Sequence, residues 1–309
     1  MYSALFTTDD GDVILRASSK SGFQHDFRVH KFILSLASPV FKDLFTLPQP
    51  LDQTSNEQHQ LPIIDVQECP EALDIILRLI YPGAQPPNIT HPWILTASLL
   101  AADKYDIESI FPTLQEALKT FLSTRSVWVY IVASRFKFLE VVREAAEASS
   151  VRRLAWLDDR DDLELISSTD FFRLVEFVQT REYEGIQRIS TILDPSHLAY
   201  TATCSHNGKD AQDYYFRLQK AVEQAFVEDP GIGTKDLIWI LDKVADPPAG
   251  CEPQPRPAEW YHNCGYEDGF RCPLQPMVIR KRLSDVIGEL RTNDAEMLDR
   301  FFENTSGSG

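Results

Sequence analysis

Phe27-Arg28-Val29-His30-Lys31-Phe32-Ile33-Leu34, followed by Ser38-Pro39-Val40-Phe41 and then Leu44-Phe45, is the stretch that decides how this chain folds. Phe27 and Val29 alternate with polar neighbours, as a half-buried strand over 23–30 would. The pattern then changes to a compact apolar run over 32–37, which stops at Ser38-Pro39. A serine N-cap with proline at the first helical position starts a new helix, expected to run through Phe45. The stretch therefore reads as a strand followed by two short helices meeting at a sharp corner.

Upstream, Val13 and Leu15 alternate with Asp12 and Arg16, and a turn over 18–22 closes a β-hairpin. Downstream, 47–60 is polar with two prolines, a loop leading into a short strand over 61–66. Cys69-Pro70-Glu71 opens a helix whose Leu73, Ile76, Leu77 and Ile80 share a face, and Tyr81-Pro82-Gly83 ends it. Residues 93–105 are apolar on nearly all sides, which predicts a central helix covered by neighbours. Ile107, Ile110, Leu114, Leu118, Phe121 and Leu122 keep the helical period, with Pro112 restarting the helix. The small sheet needs a helical lid, expected from Leu34, Phe41, Leu44, Leu77, Ile80 and Tyr105.

From Ser126 the pattern is helical: 127–136, 139–149, 169–179, 181–193, 213–226, 234–245 and 277–290 are the candidates, with a proline-dense linker at 247–257. No internal repeat of fixed period is visible. The expected organisation is an α+β domain over 1–125, a helical extension over 126–195, and a helical C-terminal region over 196–309.

The opening stretch resembles the BTB/POZ signature, with Phe27, His30, Lys31, Leu34, Ser38, Phe41, Leu44 and Phe45 at its positions. The resemblance continues through 61–66, through Pro70-Glu71-Ala72-Leu73 to Tyr81, and through Ala101-Ala102-Asp103-Lys104-Tyr105, in family order. It implies a small sheet capped by helices and a role in protein–protein interaction instead of catalysis. It also implies homodimers formed through the first strand and first helix, here 1–15 and 31–36, and often service as a substrate adaptor for cullin-type ubiquitin ligases. Cullin-binding members often carry a hydrophobic-x-Glu element after the second helix. This chain has Leu47-Pro48-Gln49-Pro50-Leu51 there instead, so Leu47 and Leu51 are its candidate contact residues. The segment 126–193 is similar to the BACK-like helical extension that follows many such domains, and the whole resembles BTB proteins of fungal type.

A net charge of -16 and a pI near 4.8 oppose the positive field that nucleic acid or an anionic membrane attracts. The expected partners are therefore proteins, and a nuclear co-regulator acting without direct DNA contact is the alternative to an adaptor. No stretch approaches the ~18 apolar residues that span a bilayer. The start of the chain carries acids where a secretory signal carries bases, and the five cysteines are odd in number and scattered. A cytoplasmic or nuclear address is expected.

G-x-S-x-G, P-loop, H-E-x-x-H and C-x-x-C motifs are all missing, so no enzyme is expected and no catalytic residue is assigned. His30 and Asp103 are read as buried polar anchors bonded to backbone, not as a catalytic pair. One chemical constellation stands out: Cys204, His206, His262 and Cys264 supply two close pairs of soft ligands. Either they hold a structural zinc, the one cofactor the sequence suggests, or they are ordinary thiols and imidazoles. Zinc predicts about one equivalent of metal in protein purified without chelator, and unfolding of the region after 195 when it is stripped. Well under one equivalent leaves free side chains.

Overall fold

The computed structural model describes residues 6, 10–19, 22–47, 61–150, 154, 161–194, 208–228 and 276–302. They fall into two compact units, Met1–Leu122 and Ser123–Gly309. No described helix is long and apolar enough to cross a membrane.

In the first unit, β1 (Val13–Ser18) and β2 (Gln24–Val29) form an antiparallel hairpin, and β3 (Ile63–Val66) joins β1 in parallel, giving the order β2-β1-β3. The hairpin turn is closed by Gly22 at φ 83°, a left-handed backbone that glycine adopts without a Cβ clash. Register explains the core. Val13 faces Val29 and Leu15 faces Phe27, and all four are fully buried, so the alternation in sequence becomes one apolar face of the sheet.

Helices cover that face. These are α1 (Lys31–Ala37), α2 (Pro39–Thr46), α3 (Pro70–Ile80), α4 (Pro92–Lys104) and, after a 3-10 turn, α5 (Phe111–Lys119). Leu34, Phe41, Leu77 and Tyr105 are buried as the lid requires, while Leu44 and Ile80 are only half-buried. α4 departs from expectation. Leu95, Leu99 and Ala102 are buried, but Trp93 and Leu100 are exposed, so the helix is covered on one side and not all round.

The second unit is helical: α6 (Leu122–Arg135, interrupted at Arg125), α7 (Leu139–Glu147), a 3-10 turn, α8 (Ser168–Ile192), α9 (Gly208–Glu228) and α10 (Pro276–Phe302). Its core draws on both sides of residue 195: Ile189 and Leu193 pack with Tyr215, Leu218, Phe226, Leu283 and Ile287. Gly185 lets α8 and α9 approach closely, since a Cβ there would lie 2.2 Å from the Phe226 ring. The segments 234–245 and 247–257 lie outside the described residues.

Two expectations are corrected here. The candidates 169–179 and 181–193 are one helix, α8, and the candidate 277–290 runs on to Phe302. Both errors have one cause. Arg181 is 1% exposed, and Asn293 and Asp294 are 2% and 8% exposed, so polar residues occupy core positions and break the apolar period. Arg181 clamps Asp294 with two nitrogens, Nε at 2.7 Å from Oδ1 and Nη2 on Oδ2, while Nη1 donates to the Glu147 carbonyl at 2.5 Å. Arg188 holds Glu289 and Asn293, each at 3.0 Å, and Arg282 donates to the Ile192 carbonyl. Ascending residues on α8 meet descending ones on α10, so the two helices are antiparallel.

The structure also holds a local repetition that the sequence did not reveal. After α4, Tyr105, Asp106 and Ile107 donate to the carbonyls of Ala101, Asp103 and Ala102. After α6, Phe136, Lys137 and Phe138 donate to Val132, Ser134 and Ala133, the same three bonds 31 positions on (105 to 136). The central residue of each turn is left-handed, Asp106 at φ 52° and Lys137 at φ 59°.

Truncating Arg181 to alanine strands a buried carboxylate and is expected to cost about 3–5 kcal/mol in urea unfolding of the second unit. Replacing Arg181 and Asp294 together by Met and Leu should recover most of that loss.

Candidate interaction surface

The corner at Ser38 sets the geometry of the candidate surface. Ser38 is fully buried in extended backbone and closes α1 by donating its N–H to the Leu34 carbonyl at 2.9 Å. Its hydroxyl accepts from the Phe41 N–H at 3.0 Å, capping α2, and donates to the Tyr105 carbonyl at 2.5 Å. The Tyr105 ring stacks on Phe41 at 4.3 Å, and Phe41 lies 6.0 Å from Phe45. One residue thus fixes α1 and α2 against the end of α4.

Fixed in this way, α1 turns Leu34 inward and leaves Phe32 at 72% and Leu36 at 73% exposure, four residues apart on one face. Val40 on α2 is 39% exposed and Leu47, just after α2, is 59% exposed. Among the described residues of the first unit, Phe23 and Trp93 are comparably bare, but Phe32 and Leu36 are the pair that share one helix face. Contiguous exposed apolar patches mark contact surfaces, whereas apolar residues scattered singly do not.

Polar residues brace the two ends of this frame. At one end the Tyr105 hydroxyl donates to Glu68 Oε2 at 2.5 Å, and Lys104 Nζ reaches Glu68 Oε1 at 2.6 Å. Burial, together with the bond to Glu68 and its charge, pushes the Tyr105 phenol well above its usual range. At the other end Tyr81 Oη accepts the His30 N–H at 2.7 Å and meets His30 Nδ1 at 3.3 Å, while His30 Nε2 lies 3.8 Å from Asp10. This line of carboxylate, imidazole and phenol has the parts of a relay but the opposite tuning. Burial pushes the Tyr81 phenol up to about 12, holding the proton on the oxygen, so the group works as a hydrogen-bonding post for the start of α1. Asp12 adds a second post, accepting the Lys31 N–H at 2.7 Å.

The signature residues separate accordingly. Phe27, Leu34, Ser38, Phe41, Ala102 and Tyr105 are buried, whereas His30, Lys31, Leu44, Phe45 and Tyr81 are half-buried. The reading of His30 and Asp103 as buried anchors is corrected. Asp103 is exposed because the helical period that buries Ala102 turns it outward, and the His30 ring meets side chains instead of backbone. Glu68 is the residue that sequence reasoning missed. It sits in Val66-Gln67-Glu68-Cys69, where no periodicity distinguishes a bracing carboxylate from a solvated one. Leu51 and the zinc candidates Cys204, His206, His262 and Cys264 lie outside the described residues, among which no group of three or more His, Cys, Asp or Glu side chains could hold a metal ion.

The raised phenol values carry a sign. Folding favours the protonated hydroxyl, so the contribution is complete below the free value of 10.0 and is lost as pH rises through the folded value. Absorbance titration should therefore show Tyr81 and Tyr105 silent until about pH 11, and Tyr105→Phe should cost about 1–3 kcal/mol while reducing the alkaline sensitivity of the first unit.

Compared with known families, residues 4–122 match the family model of the BTB/POZ domain.

Proposed function

Since residues 4–122 are a BTB/POZ domain, a protein–protein interaction module, we propose that the chain is a self-associating scaffold whose copies meet through the outward face of α1. The observation that carries this reading is the pair Phe32 and Leu36, bare on a helix that the Ser38 corner holds rigidly. A stable interface buries ~800 Å² per partner, more than two side chains supply. Val40 and Leu47, exposed on and just after α2, are further apolar side chains that could add to it. A two-fold contact is self-complementary, so one apolar face serves both copies. The helical second unit then carries whatever the assembled pair presents to other proteins.

Two narrower readings share this base. A cullin-adaptor role is supported by the exposure of Leu47 where adaptors make contact, and Leu47→Asp would abolish binding to a cullin N-terminal domain. A co-regulator role without DNA contact is supported by the net charge of -16.

Sedimentation at micromolar concentration tests the base reading. The native chain is expected to run as a dimer and Phe32→Asp/Leu36→Asp as a folded monomer. A monomeric native chain, or a variant that stays dimeric, contradicts it.

A further inference from the structure

The two matching turns differ in what they display. At the first-unit turn, Asp103, Lys104, Asp106 and Glu108 are exposed, three carboxylates against one ammonium. At the second-unit turn the corresponding tip exposes Arg135, Lys137 and Leu139, with Glu140 following. The change is chemical and not geometric, since the three backbone hydrogen bonds are the same. Leu139 stands where the first turn has Glu108, and it is 53% exposed although a polar residue would fit that site. In the same turn Phe136 and Phe138 stack at 5.9 Å, and the Arg135 guanidinium lies 5.4 Å from the Phe136 ring. Lys137 occupies the left-handed position, which a lysine adopts at a cost and a glycine would adopt freely.

We infer that the α6–α7 turn is a docking tip for an acidic peptide segment of a partner protein, anchored by one apolar side chain. Leu139 and the stacked phenylalanines receive the anchor, and Arg135 and Lys137 meet flanking carboxylates. The chain's overall charge of -16 does not forbid this, because charges farther than the ~8 Å Debye length at physiological salt are screened and the local set decides, Arg135 and Lys137 against Glu140. A membrane fits less well, because two cations fall short of the roughly four to eight clustered Lys and Arg that hold a segment on an anionic surface. The inference does not depend on self-association, which uses α1.

Fluorescence anisotropy of the full-length chain tests it with a labelled acidic peptide carrying a single central leucine, its Glu-to-Gln counterpart, and vesicles of phosphatidylcholine with about a quarter phosphatidylserine. The acidic peptide should bind, with affinity falling as salt rises. Lys137→Glu and Leu139→Asp, both at exposed positions, should each weaken it about tenfold. Lys137→Gly keeps the turn and removes the charge, so it should weaken binding without loss of thermal stability. Phe23→Ser, at an exposed position of the first unit, should leave binding unchanged. Failure of the acidic peptide to bind at millimolar concentration, equal binding of the Gln counterpart, indifference to Lys137→Glu, or capture by the vesicles in place of the peptide would each overturn the inference.

Discussion

The first unit hangs on one buried hydroxyl. Ser38 ends α1, caps α2 and ties both to the last turn of α4 through the Tyr105 carbonyl, all without contact with water. α1 has seven residues, too few to persist as an isolated helix, so its presence and its orientation both come from this corner and from the posts supplied by Asp12 and Tyr81. The same constraint has a functional consequence. A helix pinned along one edge, with a single leucine turned inward, must show its remaining apolar side chains to solvent or to another protein.

Most of the first unit was legible because its signals are local. Alternation over Val13-Ile14-Leu15-Arg16, the Ser38-Pro39 corner and the Pro70 and Tyr81 limits of α3 each correspond to a backbone requirement that few other sequences meet. The candidate interaction surface was less legible. In Phe32-Ile33-Leu34-Ser35-Leu36 the apolar residues look alike, and only the packed structure shows that Leu34 goes in while Phe32 and Leu36 stay out. Glu68 left no trace, since a carboxylate that braces Tyr105 looks in sequence like any surface acid.

The second unit shows the opposite case, in which burial of polar groups misleads pattern reading. Arg181, Asn293 and Asp294 occupy positions that periodicity assigns to apolar side chains, and each is satisfied by a partner more than a hundred residues away. Such pairs add less stability than well-packed apolar residues would, but they penalise any slip of α10 along α8 that would leave a charge buried alone. Glu223 follows the same rule. Burial alone would raise its pKa, yet bonds from Lys220, Gln219 and Ser190 hold it below the usual carboxylate range. The matching turns at Asp106 and Lys137 were hidden for a related reason: the recurrence lies in hydrogen bonds and a left-handed residue, while the side chains around it differ.

The central claim is that the outward face of α1 is where copies of the chain meet. Amide hydrogen exchange measured across a series of protein concentrations tests it most directly, because protection that grows with concentration locates the contact without altering a residue. The account predicts growing protection over 31–47, with the amides of α4 around Trp93 unchanged. Protection over 31–47 that is independent of concentration, or that grows around Trp93 instead, would contradict it.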